Sequence, residues 1–70
     1  MAELPAAGVK RLLTKNSGDL RSSGSAVELA VAAAEEYIAR LAQEASESAR
    51  KERRKTIMDA DIRKAREVVG

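Results

Sequence analysis

The side chains of this chain that could do chemistry are almost all cations. There is no His and no Cys, which removes the usual general base near neutral pH, the thiolate nucleophile, and any imidazole or thiolate metal set. Glu28, Glu35, Glu36, Glu44 and Glu47 are strung along one helical stretch, a spacing from which no catalytic carboxylate pair assembles. The reading is of a protein that is not an enzyme, with no metal, cofactor or small-molecule substrate. What remains is charge. Lys10, Arg11, Lys15 and Arg21 outnumber Glu3 and Asp19 in residues 1–22, and Arg50, Lys51, Arg53, Arg54 and Lys55 face only Glu52 in residues 50–57. Between these segments Arg40 stands alone against the five Glu. A polyanion would meet the flanking segments rather than the middle, although a charge run such as 50–55 is, taken alone, the mark of a solvated helix end. Tyr37 is the one aromatic residue, so no platform for stacking single-stranded bases is expected.

The middle segment is what must position those cations. Ser23 to Arg50 reads as one uninterrupted helix, rich in Ala, Leu, Glu and Arg, with no Pro and no Gly after Gly24. Ser23 or Ser25 can cap its first turn. At 1.5 Å per residue it makes a rod of about 42 Å, whereas a compact chain of this length has a radius of gyration of only about 11 Å. Leu29, Ala33, Tyr37 and Leu41 line one row, and Val27, Ala30, Ala34, Ile38, Leu41 and Ala45 line its neighbour. An ordinary core helix of a small bundle would have a narrower stripe and more flanking sequence to cover it. The wide arc favours a helix crossed by a second copy of itself.

The flanks are short. Pro5 fits the first position of a helix in which Ala6, Val9, Leu12 and Leu13 recur at helical spacing, and Asn16-Ser17-Gly18-Asp19 ends it. Leu20-Arg21-Ser22 is an extended link. After Arg50 the like charges Lys51, Arg53 and Arg54 disfavour continuation. Lys55-Thr56-Ile57-Met58 reads as a very short strand or extended link, and Asp59 as the cap of a last helix over 60–69 with Ile62, Ala65 and Val68 or Val69 on one face. Seventy residues make one small domain, 1–70, and fourteen of its apolar residues are Ala, so a partner that buries more apolar surface is expected. Neither a signal peptide nor a membrane-spanning run is recognised, and a soluble protein of the reducing cytosol, making no membrane contact, is expected.

This order of elements, with its motifs, resembles the archaeal histones over nearly all of the chain. Glu3-Leu4-Pro5 is similar to their opening, and Arg11 stands where their first helix carries an arginine. Arg21-Ser22-Ser23-Gly24-Ser25-Ala26 resembles their R-V-S-x-x-A passage into the long helix, and Glu35-Glu36 matches a mid-helix pair. Arg54-Lys55-Thr56-Ile57 followed by Asp61-Ile62 is similar to R-K-T-I-x-x-x-D-I, the most specific match. The resemblance implies an all-α histone fold, a short helix, a long central helix and a short helix, forming a handshake homodimer. Leu29, Ala33, Tyr37, Ile38 and Leu41 would lie in the dimer core.

The same resemblance implies duplex DNA as partner. Arg21 of one copy would enter the minor groove, held by Thr56 of the other, while Lys55, Arg11 and the loop amides meet phosphates. Lys10, Lys15, Lys51 and Arg53 would add general attraction. Arg54 and Asp61 would form a structural ion pair, of little worth at a surface by itself, that fixes the second loop on the last helix. The implied function is compaction of DNA without sequence preference, in the nucleoid of a cytoplasm. The alternative is a histone-fold module that pairs with another subunit of a transcription-related complex and touches DNA little. The chain departs from the archaeal pattern in a first loop one residue longer and in Gly24 and Ser25 at the head of the long helix. Ser46, Ser48 and Lys51 replace larger apolar groups and a frequent histidine where dimers join end to end. Those polar groups imply a stable dimer with weak or DNA-dependent association beyond it.

Overall fold

A computed structural model describes residues 3–70. Among them three helices and no strand occur: α1 (Ala6–Asn16), α2 (Gly24–Lys51) and α3 (Asp59–Val69). The short, long, short order expected from the sequence is present, and the segment 55–58 is an irregular link with no strand. The chain packs as two compact units, one ending at Glu36 and one beginning at Tyr37, each of which draws on α2.

In the first unit, Pro5 lies one residue earlier than its expected place at the first helical position. Its extended backbone (φ −69°, ψ 122°) makes it the residue before the helix, and no side chain caps the α1 amides. Pro5 has no amide to leave unpaired, and its carbonyl accepts the amide of Val9 at 3.2 Å. The far end of α1 closes on Gly18, whose φ of 72° is left-handed, with the amide of Asp19 donating to the carbonyl of Thr14 at 3.0 Å. That five-residue return is the helix-terminating bond a glycine makes available without a Cβ penalty. Of the two serines that could start α2, Ser23 does so: its Oγ accepts the amide of Ala26 at 3.1 Å. Val27 and Val31, one turn apart, are the buried apolar residues of this unit.

In the second unit the buried apolar residues are Ala45 and Ala49, again one turn apart, with Ala65 of α3. The end of α2 repeats the closure of α1 with a different residue. Arg53 donates its amide to the carbonyl of Arg50 at 2.9 Å and Arg54 to that of Ala49 at 2.9 Å, while Arg53 adopts φ 57°. An L side chain in this conformation costs about 1 kcal/mol that glycine does not incur.

The expected cap of α3 also needs correction. Asp59 is its first helical residue, and the carboxylate that serves the helix start is Asp61, which accepts the amide of Met58 at 2.8 Å. An acid at the third position of a helix can reach back to the amide of the capping residue, whereas Asp59 is already the first helical residue and so is not the cap.

Neither unit buries the large apolar groups of the chain's surface. Leu29 is 73% exposed and Val68 68% exposed, and Leu12, Leu20, Tyr37, Ile38, Ile57 and Met58 are exposed as well. Of these, Leu29, Tyr37 and Ile38 lie on α2, and the others are spread over α1, α3 and the links.

Candidate nucleic-acid interface

The cations of the first unit sit on α1 and on the loop that follows it. Lys10, Arg11 and Lys15 are all exposed, because Val9 and Leu13 turn the other face of the short helix inward. Together with Ala7, Thr14 and Asp19 they line a depression of about 500 Å³. Arg21 lies in the irregular stretch before Ser23, exposed, and its side chain makes no hydrogen bond or ion pair among the described residues. A guanidinium in that state keeps its fork of donors for an external acceptor. Glu35, midway along α2, turns its Oε2 to the amides of Glu3 and Leu4, the latter at 3.1 Å. It thereby ties the segment ahead of the uncapped helix, a role its place in the Glu35-Glu36 pair does not announce.

The second unit presents Lys51, Arg53, Lys55 and Thr56 to solvent. Lys55 and Thr56 line, with Ser46, Ala49, Arg50, Arg54 and Ile57, a depression of about 360 Å³ beside the last turn of α2. Arg50 is an exposed cation there that the family motifs did not single out.

What holds this loop is a carboxylate. Asp61 is 1% exposed, so the ion pair with Arg54 expected from the sequence has its carboxylate sheltered from water rather than at the surface. Arg54 approaches it with both ends of its guanidinium, Nη1 to Oδ2 at 2.8 Å and Nη2 to Oδ1 at 2.9 Å. The remaining acceptor positions take the Met58 amide at 2.8 Å and the Ser48 hydroxyl at 2.7 Å. A buried carboxylate is tolerated only when its lone pairs are matched in this way. Hydrogen bonds from Arg54, Met58 and Ser48 hold the Asp61 carboxyl well below the usual carboxylate range, and Asp61 in turn raises Arg54 above the usual guanidinium value. Arg54 also donates to the carbonyl of Thr56 at 2.9 Å and pairs with Glu52 at 3.3 Å. Its cation is therefore spent inside the chain, and the exposed Lys55 beside it is not.

Ser48 is the member of this network that sequence reasoning missed. Thirteen positions separate it from Asp61, and nothing in the local pattern joins a serine in a helix to an aspartate in the next. Ser46, the other polar departure on this stretch, donates to the carbonyl of Gln43 at 2.8 Å.

The residues expected in a dimer core are placed as follows. Leu29, Ala33, Tyr37 and Ile38 are exposed and Leu41 is half-buried. Among the described residues no His, Cys, Asp and Glu grouping able to hold a metal occurs, and no helix is long and apolar enough to cross a membrane.

A sequence model of the family described as histone-like transcription factor (CBF/NF-Y) and archaeal histone matches residues 2–65. No solved structure matches the chain.

Proposed function

Because this chain belongs to the family of histone-like transcription factors and archaeal histones, and so carries an all-α histone fold with the DNA-binding role general to it, we propose that it packages duplex DNA as a homodimer without sequence preference. The 70 residues act as one histone-fold domain. In the handshake dimer Leu29, Ala33, Tyr37, Ile38 and Leu41 are covered by the second copy, which accounts for the exposure of the first four in a single chain. The same dimer sets the first loop of one copy beside the second loop of the other.

One observation carries the DNA reading. Arg21 and Lys55 are exposed and make no side-chain hydrogen bond or ion pair among the described residues, while Arg54, next in sequence to Lys55, is consumed in holding the loop. A loop fixed before the ligand arrives loses little entropy on binding, so its cations contribute more of their interaction to affinity. Arg21 enters the minor groove, where narrowing rather than base identity attracts it, and Thr56 of the other copy supports it. Lys55, Arg11 and the loop amides bind phosphates, and Lys10, Lys15, Lys51 and Arg53 add to the attracting field. Such a protein is associated with the chromosome in the cytoplasm and needs no cofactor.

The polar groups at Ser46, Ser48 and Lys51 favour a stable dimer over a continuous stack of dimers. The hydroxyls of Ser46 and Ser48 are satisfied inside their own chain. Crosslinking on long DNA should give no regular ladder of dimer multiples.

The test is charge reversal. Arg21→Glu and Lys55→Glu should each lower affinity for random-sequence duplex at low salt by at least about tenfold and flatten the salt dependence. If both variants bind as the parent does, the second reading prevails: a histone-fold module pairing with a different subunit, for which the same exposed apolar row would serve.

A further inference from the structure

Helix α1 has little of its own to hold it. It is 11 residues long, contains Gly8, has neither an acid in its first turn nor a side-chain cap, and buries none of its residues. A helix this short is marginal in water, and an interior glycine costs it about 1 kcal/mol relative to alanine. Helix α3, of the same length, has Asp59 and Asp61 in its first turn and buries Asp61 and Ala65. Yet α1 is the helix that carries the exposed Lys10, Arg11 and Lys15. What it lacks at its amino end comes from α2. Glu35 is half-buried, and one oxygen of its carboxylate accepts the amides of Glu3 and Leu4, the latter at 3.1 Å. Leu4 stands two residues ahead of Ala6, where α1 begins. The carboxylate therefore fixes the approach to the helix and sets a negative charge close to the end at which the helix dipole favours one. Its neighbour Glu36 is exposed and makes no side-chain hydrogen bond or ion pair among the described residues.

We infer that Glu35 is a positioning residue for the cations of α1: it acts as the cap that α1 does not carry, and so keeps Lys10, Arg11 and Lys15 ordered for duplex DNA. This rests on the DNA-binding reading above and deepens it. A carboxylate repels a phosphate backbone, so its field alone opposes binding, whereas its hold on α1 favours it.

The experiment uses the full chain, titrated with a random-sequence duplex at low salt, and amide exchange without DNA. Glu35→Gln and Glu36→Gln each remove one negative charge from α2, so the field predicts the same small gain in affinity for both. Glu35→Gln should instead bind at least about threefold more weakly than Glu36→Gln, because α1 must be ordered on binding. Exchange should quicken over residues 6–16 in Glu35→Gln alone and stay unchanged over residues 59–69. Gly8→Ala supplies the rescue, since a Cβ there would meet the Pro5 side chain at 3.7 Å, an ordinary contact. Added to Glu35→Gln, it should restore the lost affinity by raising the helicity of α1. Equal affinities for Glu35→Gln and Glu36→Gln overturn the positioning role, and unchanged exchange over residues 6–16 overturns the tie itself. A Glu35→Gln defect that Gly8→Ala leaves untouched overturns the route through α1. A parent protein that binds no duplex removes the packaging reading and this effect on it together, whereas a binding parent with equal Glu35→Gln and Glu36→Gln affinities removes this inference alone.

Discussion

The two loops of this chain end their helices by the same backbone device and differ in what is attached to it. Residues 17–23 follow a return from Asp19 to Thr14 across Gly18, and residues 52–58 follow a return from Arg54 to Ala49 across Arg53. Besides that return, the bonds of the first loop among the described residues are local: the Ser17 hydroxyl donates to the Thr14 carbonyl at 3.3 Å, and Ser23 meets the Ala26 and Val27 amides and the Ser25 hydroxyl. The second is gathered around Asp61 by four hydrogen bonds from Arg54, Met58 and Ser48. Turn chemistry alone stops a helix; it takes a buried carboxylate to make the turn into a fixed platform. The cations therefore differ in setting. Lys55 is presented by a loop tied to a buried carboxylate, and Arg21 by one held through local bonds.

The largest expected effect is to abolish this difference at its source. Asp61→Asn keeps the shape of the side chain but leaves the half-buried Arg54 guanidinium beside a neutral amide in place of its carboxylate. It should lower the unfolding midpoint by more than about 10 °C. Amide exchange across residues 54–58 should rise to the level of residues 18–22, and duplex affinity should fall through the loss of a set loop. Acid should act in the same direction in the parent protein. Folding lowers the pKa of Asp61, so as pH falls below about 4 the unfolded chain takes up that proton before the folded one does. The contribution of Asp61 is complete above that pH and is lost progressively beneath it. Asp61→Asn should lack that part of the acid dependence. The raised value of Arg54 adds nothing to the pH profile, since the guanidinium is charged in both states.

A smaller effect sharpens the comparison. Ser48→Ala removes one of the four hydrogen bonds and no charge, so it should cost about 1–2 kcal/mol. Exchange should quicken in residues 54–58 and stay unchanged in residues 18–22. Unchanged exchange in both loops would mean that Arg54 and the Met58 amide suffice to hold Asp61.

Much of this was legible in the residues, for reasons that differ from part to part. The long helix was plain because its composition and length leave no alternative, and the ends of α1 and α2 were marked by Asn16-Ser17-Gly18 and by the cationic run after Arg50. The capping position of α3 is Met58, one residue before the expected Asp59, and the acid that serves it lies two residues after, since Asp59 and Asp61 are both plausible acids and only the chain's geometry shows which one reaches Met58. Pro5 was misplaced by one, as a fixed φ near −65° suits both the residue before a helix and the first residue within it. Arg54 with Asp61 was visible as a family motif. The burial of Asp61 was not, because the carboxylate is also matched by Ser48, thirteen residues away, which turns its hydroxyl toward it. The backbone strain at Arg53 had no signal at all in a run of charges.

The smallest expected effect concerns the device that the two loops share. A Cβ added at Gly18 would meet no atom within 4 Å, so Gly18→Ala tests the left-handed backbone alone, free of steric clash. It should destabilise the chain by about 1 kcal/mol, with the salt slope of DNA binding unchanged, since no cation is removed. Arg53→Gly, at the matching position of the other loop, should change stability by a similar amount in the opposite direction. If the two substitutions give equal and opposite shifts in unfolding midpoint, the helix ends are equivalent as backbone, and the difference between the loops lies in their side chains. A Gly18→Ala variant as stable as the parent would instead show that the first loop has enough freedom to abandon φ 72°. That result would set the loops apart at the level of the main chain as well.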